Sequence, residues 1–238
     1  MKLDVLVISA HPDDLELSCS GTVASLVSKG RKVGAVDITR GELGTRGTEE
    51  IRAAEAEEAT RILGITVREN AGLPDGFFMN NKESQIAIAR FVRKYQPEIV
   101  ISNAIEDRHP DHGRAARLTS DACFIAGLAR VPIPDRNASL APWRPKAVYH
   151  YIQSNYIVPD LIVDISGFWE IKLASMRAFK SQFYDPESDE PETYISSPHF
   201  LKFIEARCRQ WGHAIGAEYG EGFTVERHIG VRDLFDLI

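Results

Sequence analysis

Two short stretches of the 238-residue chain carry side chains whose types and spacing could do chemistry: His11-Pro12-Asp13-Asp14 and His109-Pro110-Asp111-His112. A catalytic zinc site takes three protein ligands and keeps a further position for water. His11, Asp14 and His112 supply two imidazoles and one carboxylate, which is such a set. Asp13 is then left beside the metal as the general base that takes a proton from the attacking water. His109 stands across the site as a cation that stabilises an oxyanion or protonates a leaving amine. Asp111 orients and charges that imidazole, as carboxylates behind histidines do. These parts suffice for metal-assisted hydrolysis of an amide. Each also has a plainer reading: any of the three aspartates can cap a helix, and His11 can be a hydrogen-bonded loop residue. The helix-borne pattern His-Glu-x-x-His is absent, so a thermolysin-type centre is not implied. His150, His199, His213 and His228 are scattered singly and read as surface or satisfied core residues.

The elements around the two stretches determine whether they can meet. Leu3 to Ser9 is dense in Val, Ile and Leu and reads as a buried parallel strand. Pro12 denies that strand a ladder hydrogen bond and pushes His11 to an extended conformation, so the strand ends there. Leu15 to Lys29 reads as a helix closed by Gly30, and Val33 to Ile38 as a second strand. The Gly-rich loop 40–47 follows, then Thr48 as N-cap of a helix that runs to Leu63 and stops at Gly64. Ile65 to Val67 is a short strand, Gln85 to Tyr95 a helix, and Glu98 to Ser102 the next buried strand. The second histidine stretch follows that strand directly and leads into a helix from Arg114 to Leu128. Further on, Ala147 to Gln153 and Leu161 to Ile165 read as strands, Phe168 to Lys180 and Phe200 to Trp211 as helices, and Gly220 to Val225 as a late strand. Between those two helices Ser181 to Ser197 is a long polar stretch, of the kind that is functional or disordered.

This alternation predicts an α/β fold: a Rossmann-like, doubly wound, mostly parallel sheet with helices on both faces, as a single domain over 1–238. In the doubly wound order 3-2-1-4-5 the first and fourth strands are neighbours at the switch point, where ligands bind. Both histidine loops would then open into one crevice.

Composition narrows the function classes. Apolar content of 44% and charged content of 26% are those of an ordinary soluble protein. A net charge of −6 argues against nucleic-acid or anionic-membrane partners. No segment is apolar for long enough to span a bilayer, and the chain enters its first strand with no signal-peptide pattern. Cys19, Cys123 and Cys208 are far apart and in no metal spacing, so a reduced cytoplasm with buried thiols is expected. A dinucleotide-dependent oxidoreductase would place Gly-x-Gly-x-x-Gly where the acidic first loop stands. A structural zinc site would be closed and rich in Cys, and no Cys lies near either loop.

Ala10-His11-Pro12-Asp13-Asp14 together with His109-Pro110-Asp111-His112 resembles the LmbE/PIG-L family of metal-dependent N-acetylglucosamine deacetylases. Within it the chain is similar to the bacillithiol biosynthesis deacetylases, which remove acetate from N-acetylglucosaminyl malate. The likeness extends to Thr39-Arg40-Gly41-Glu42-Leu43-Gly44, Ile51 to Ala56, Ser181-Gln182-Phe183 and Tyr219 to Phe223. It implies one Zn2+ per chain, with Fe2+ or Co2+ tolerated by the same ligands. It assigns His11, Asp14 and His112 as ligands, Asp13 as base, and His109 with Asp111 as the electrophilic pair. It further implies substrate contacts from Arg52 and Arg108, with Tyr194 of the polar stretch beside them, and a homo-oligomer. Other aglycones, an inositol conjugate or a chito-oligosaccharide, fit the same motifs. On sequence grounds Arg52 could equally pair with Glu49 or Glu55 on a solvated helix face. Arg108 could balance the acidic cluster, although its planar fork also suits a substrate carboxylate.

Overall fold

Strand residues of alternating direction build two cores, one on each side of a sheet. In the computed structural model, which describes residues 1–135 and 138–236, the first strand is β1 (Val5–Ser9). Leu6 and Ile8 of β1 pack into one core, and Val5 and Val7 into the other. The chain continues through α1 (Asp14–Ser18), α2 (Ser20–Ser28), β2 (Val33–Asp37), α3 (Glu49–Leu63), β3 (Val67–Asn70), α4 (Lys82–Tyr95) and β4 (Ile99–Ser102). It then forms α5 (Pro110–Ala126), a small antiparallel pair β5 (Pro134–Asp135) and β6 (Ala138–Ser139), β7 (Ala147–Tyr151) and β8 (Leu161–Asp164). Finally come α6 (Trp169–Arg177), α7 (Phe200–Ala214) and β9 (Gly220–Val225). The main sheet has seven strands in the order β3-β2-β1-β4-β7-β9-β8. The pairs from β3 through β7 are parallel, and β9 runs antiparallel to both β7 and β8.

Helices α4 and α5 cover one face, with Ile88, Phe91, Val92, Leu118 and Ala122 against Leu6, Ile8, Val36 and Val100. On the other face Leu15, Val23 and Leu63 meet Val5, Val7, Ala35, Ile101, Tyr151 and Phe223. A third cluster, around Met176, Phe179, Phe183, Phe200 and Ile204, joins α6 and α7 to Leu17 and α3. The expected fold class is the observed one, and β1 and β4 are adjacent with Val5 opposite Ile99. Thr48 caps α3 through a bond from the Ile51 N–H, and Gly64 ends it at φ 67°, a conformation that glycine adopts without steric cost. Cys19, Cys123 and Cys208 are all buried thiols. Among the described residues no helix is long and apolar enough to cross a membrane.

Several boundaries differ from expectation for identifiable reasons. The helix expected over 15–29 is two helices that break at Cys19. Buried Lys172 donates to the carbonyls of Glu16 and Leu17 and to Glu221 Oε1, while Glu221 accepts from the Gly21 and Thr22 N–H groups. One long-range ion pair thus ends α1 and starts α2. The strand expected at 65–67 lies at 67–70, where Gly34 registers with Val67. The helix expected from Arg114 starts four residues earlier, because Pro110 at N1 fits the first turn and His109 caps it. Neither β5 nor β6 was expected.

Candidate metal centre

Parallel pairing of β1 and β4 brings their carboxyl ends side by side, and both histidine loops leave from there. Asn103, next after β4, locks the two loops together. Its Oδ1 accepts from the Ala10 N–H at 2.8 Å, and its Nδ2 donates to Asp14 Oδ2 at 3.0 Å. The rings of His11 and His109 lie 4.8 Å apart, those of His11 and His112 5.6 Å, and those of His109 and His112 5.0 Å.

Asp14 is buried at the centre of this group. Its Oδ2 lies 3.5 Å from His11 Nδ1, and its Oδ1 lies 3.2 Å from His112 Nε2. The two contacts use different oxygens of Asp14, so a cation between the rings would be met by the carboxylate from its edge, and distances of 3.2 and 3.5 Å are close to the roughly 3.3 Å ligand–ligand edge of a tetrahedral ion. The remaining capacity of Asp14 is filled by the His11 N–H at 3.0 Å and Gln153 Nε2 at 2.7 Å. Burial alone would raise its pKa, but His112 and then His11 hold it well below the usual carboxylate range. His112 is pushed up to about 9, burial being outweighed by Asp14 and Asp107. Among the described residues, two sets have ligand atoms that all lie within 4.8 Å of one another: His11, His109 and His112, and His11, Asp75 and Asp111.

Asp13 occupies the N-cap position of α1, yet its carboxylate makes no cap hydrogen bond. The side chain lines the cavity instead, with Oδ2 3.3 Å from Arg52 Nη2. Its pKa is pushed up to about 7: burial and nearby Asp14 raise it, and Arg52 opposes them. The backbone there has φ 118°, a left-handed conformation unusual for a residue with a Cβ. His109 caps α5 by accepting the Asp111 N–H on Nδ1 at 3.3 Å. Burial, then His11 and His112, lower its pKa. The Asp111 carboxylate does not turn to His109 as expected. It accepts the Gly76 N–H at 2.9 Å and lies 3.0 Å from Arg114 and 3.4 Å from His11 Nε2, because the helix turn directs it toward the neighbouring loop.

Four supporting residues were not singled out from the sequence. Asp107 Oδ2 lies 2.5 Å from His112 Nδ1, while its Oδ1 accepts from Ser154 and Asn155. Asp75, in the loop after β3, lies 3.0 Å from His11 Nε2. Asn103 and Gln153 complete the shell of Asp14. Each follows a strand of the same parallel set, which is the one signal by which they could have been found.

The three expected substrate residues line the same cavity of about 220 Å³. Arg52 is buried rather than solvated, and neither Glu49 nor Glu55 pairs with it. It donates to Pro12 O at 2.5 Å and Gly41 O at 3.3 Å, and its Nε has no partner. A side chain at Gly41, where φ is 68°, would collide with that guanidinium. The Arg108 guanidinium stacks on Tyr194 at 4.2 Å, and Tyr194 in turn meets Phe200 edge-on. The polar stretch after α6 also contributes Gln182 and Ile195 to the lining, and Arg46 and Gly47 grip its Glu190.

Comparison with known proteins places this architecture. The family model described as PIG-L, GlcNAc-PI de-N-acetylase, matches residues 6–123, a span that contains both histidine loops. Diacetylchitobiose deacetylase of Thermococcus kodakarensis is 31% identical, over 92% of this chain and 81% of its own length. 4-Oxalmesaconate hydratase of Pseudomonas putida is 26% identical, over 74% of this chain and 73% of its own. Among solved structures, a conserved protein from Thermus thermophilus superposes with a TM-score of 0.85 at 35% identity, covering 97% of this chain and 98% of that one. The fold and these relatives define an enzyme of the deacetylase type, an amide hydrolase. The chain belongs to the PIG-L family.

Proposed function

We propose that the protein is a zinc-dependent deacetylase of N-acetylglucosaminides. The reading is carried by one observation. The two oxygens of Asp14 lie 3.5 Å from His11 Nδ1 and 3.2 Å from His112 Nε2 in a cluster of three histidines, while the adjacent Asp13 carboxylate is released from capping and faces the cavity. His11, Asp14 and His112 would hold the cation, which would polarise the acetamide carbonyl and acidify a water. Asp13 accepts a proton from that water as its oxygen adds to the carbonyl carbon. A carboxylate with a pKa of about 7 is well matched to that task near neutral pH. His109 is neutral there, because its pKa is lowered. Its Nδ1 is occupied as an acceptor by the Asp111 N–H, so Nε2–H is offered to the oxyanion. Asp111 serves this step by placing that N–H. When the C–N bond breaks, the proton held by Asp13 passes to the leaving nitrogen, and acetate and the free amine result.

The aglycone is assigned to malate, on Arg108. Among the described residues its guanidinium has no carboxylate partner, and it lies over the Tyr194 ring at the exposed rim of the cavity. A bidentate, charge-assisted contact with a substrate carboxylate contributes on the order of 1.5–3 kcal/mol. A chito-oligosaccharide is the second reading, favoured by the 31% identity to the Thermococcus deacetylase. Acetate release should be measured on N-acetylglucosaminyl malate, diacetylchitobiose and N-acetylglucosamine. Arg108→Ala is expected to lower kcat/KM on the malate conjugate about ten- to more than a hundredfold and to spare plain N-acetylglucosamine. Equal loss on both would remove the malate assignment. Absence of acetate from all of them would overturn the deacetylase reading and favour a hydration like that of the Pseudomonas relative.

A further inference from the structure

The two histidines proposed as ligands meet carboxylates through opposite ring nitrogens. His112 faces Asp107 with Nδ1 and turns Nε2 to Asp14. His11 does the reverse, turning Nδ1 to Asp14 and facing with Nε2 the hydrogen-bonded Asp75 at 3.0 Å and, farther off, Asp111 at 3.4 Å. Behind Asp75 stands a reciprocal clamp from the Gly-rich loop. The Asp75 N–H donates to Glu42 Oε1 at 2.8 Å, and Asp75 Oδ2 accepts the Leu43 N–H at 3.0 Å. On its other side the Asp75 turn is gripped by α5. Asp111 accepts from the Gly76 N–H, and Arg114 donates to the carbonyls of Gly76 and Phe78. The carboxylate is therefore fixed on both flanks before it meets His11, and it is itself buried.

We propose that Asp75 is the positioning residue of His11: its carboxylate holds the Nε2–H, so that Nδ1 presents the lone pair to the metal. The assignment rests on the metal reading above and adds the coordinating atom and the residue that selects it. An imidazole with one nitrogen on a carboxylate has its tautomer set by that bond, and the other nitrogen is the ligand. The Leu43 N–H donates to one oxygen of Asp75 and His11 Nε2 lies 3.0 Å from the other, so with Nε2 protonated the carboxylate serves two donors. Asparagine offers one acceptor and one donor, so it must fail one of them. Because Leu43 belongs to a loop that lines the cavity, the same carboxylate ties the ring of His11 to the substrate wall.

The test is a long-range proton–nitrogen NMR correlation on zinc-loaded enzyme labelled with 15N-histidine. His11 is expected to be coordinated through Nδ1 with Nε2 protonated, and His112 through Nε2. In Asp75→Asn, competition with a colorimetric chelator should show zinc held about 10–100-fold more weakly. The His11 signals of that variant should show both tautomers. Coordination of His11 through Nε2 in the unaltered enzyme would overturn this inference and leave the metal reading standing. An unchanged tautomer and zinc affinity in Asp75→Asn would do the same. Coordination through neither nitrogen would overturn both. The measurement on the unaltered enzyme decides the point even if Asp75→Asn does not fold.

Discussion

The sharpest handle on the proposed chemistry is the pH at which Asp13 ionises. Its carboxyl is pushed up to about 7 by burial, with Arg52 pulling down and Asp14 pushing up. A base must be deprotonated to act, so the rate should fall as pH drops through that pKa, about tenfold for each pH unit below it. A bound cation favours the ionised form further, which places the acid limb of the loaded enzyme at or below about 7. Arg52 Nη2 lies 3.3 Å from Asp13 Oδ2, and an opposite charge this close lowers a carboxyl pKa by roughly one to three units. Arg52→Gln should therefore move the acid limb upward by about that amount. For a limb at 7 moved up by one unit the cost at pH 7 is about fivefold, smaller for a lower limb and larger for a larger shift, and it should recover in part as the pH is raised. Arg52 also holds the carbonyls of Pro12 and Gly41, so the height of the profile should drop as well. The diagnostic quantity is the position of the limb. Arg52→Lys keeps the charge and should keep the limb near its place. Asp13→Asn should lower kcat by at least ~100-fold above the limb and abolish the limb itself, so that the gap narrows toward acid pH. The assay is acetate release from pH 5 to pH 9 at saturating substrate and metal. A limb that stays put or moves down in Arg52→Gln would refute the claim that Asp13 sets it.

Ala substitution of His11, Asp14 or His112 should remove bound metal and activity together, measured by elemental analysis and acetate release. His109→Gln should retain the metal; if metal is lost there, the three-histidine set is the correct one. Asp107→Asn should weaken metal binding about 10–100-fold by chelator competition, since His112 loses the carboxylate that orients it, and unchanged affinity would show the contact to be incidental. At position 13, Gly should be more stable than Ala by on the order of 1 kcal/mol, because only Gly adopts φ 118° without a Cβ clash. The difference should appear as a gap of about 2–4 °C in Tm, and equal melting would refute strain at that backbone.

Much of the fold was legible because its strands are short apolar runs and its helices carry local punctuation. Thr48 and Gly64 mark both ends of α3. The apolar run before Pro12 marks the end of β1, and the sheet order then follows from the doubly wound rule. What escaped notice depends on partners distant in sequence. Nothing near Cys19 says that the helix breaks there; Lys172 and Glu221 enforce the break from about 150 and 200 residues away. β3 starts two residues late because its limits are set by pairing with β2 and not by its own composition. On its own spacing Arg52 was divided evenly between the crevice and a solvated helix face, because Glu49 and Glu55 sit at pairing distance along the helix. The fold turns it inward onto the Pro12 carbonyl.

The site divides along the same line. The convergence of His11, Asp14 and His112 was legible from type and spacing, since the two loops follow neighbouring strands and the fold does bring the three side chains together. Residues that choose among the donors' atoms were not. Asp75 and Asp107 are ordinary loop aspartates until the fold sets them against opposite nitrogens of His11 and His112. Asp111 shows the cost of reasoning from spacing alone: two residues from His109, it reaches that ring with its main-chain N–H and sends its carboxylate elsewhere. Asp13 combines both kinds of information. Its type and its place before Asp14 make it the base in the proposed reaction, and only the backbone shows that its carboxylate is not spent on capping. An aspartate at a helix start normally spends its carboxylate on capping. With φ at 118° the Asp13 side chain instead lines the cavity, beside Arg52. A strained, uncapped, half-charged carboxylate is unfavourable for stability on every count. Its position beside Asp14 is where a metal-assisted hydrolase needs a base, and strain concentrated at such a position is what a functional constraint on the loop produces.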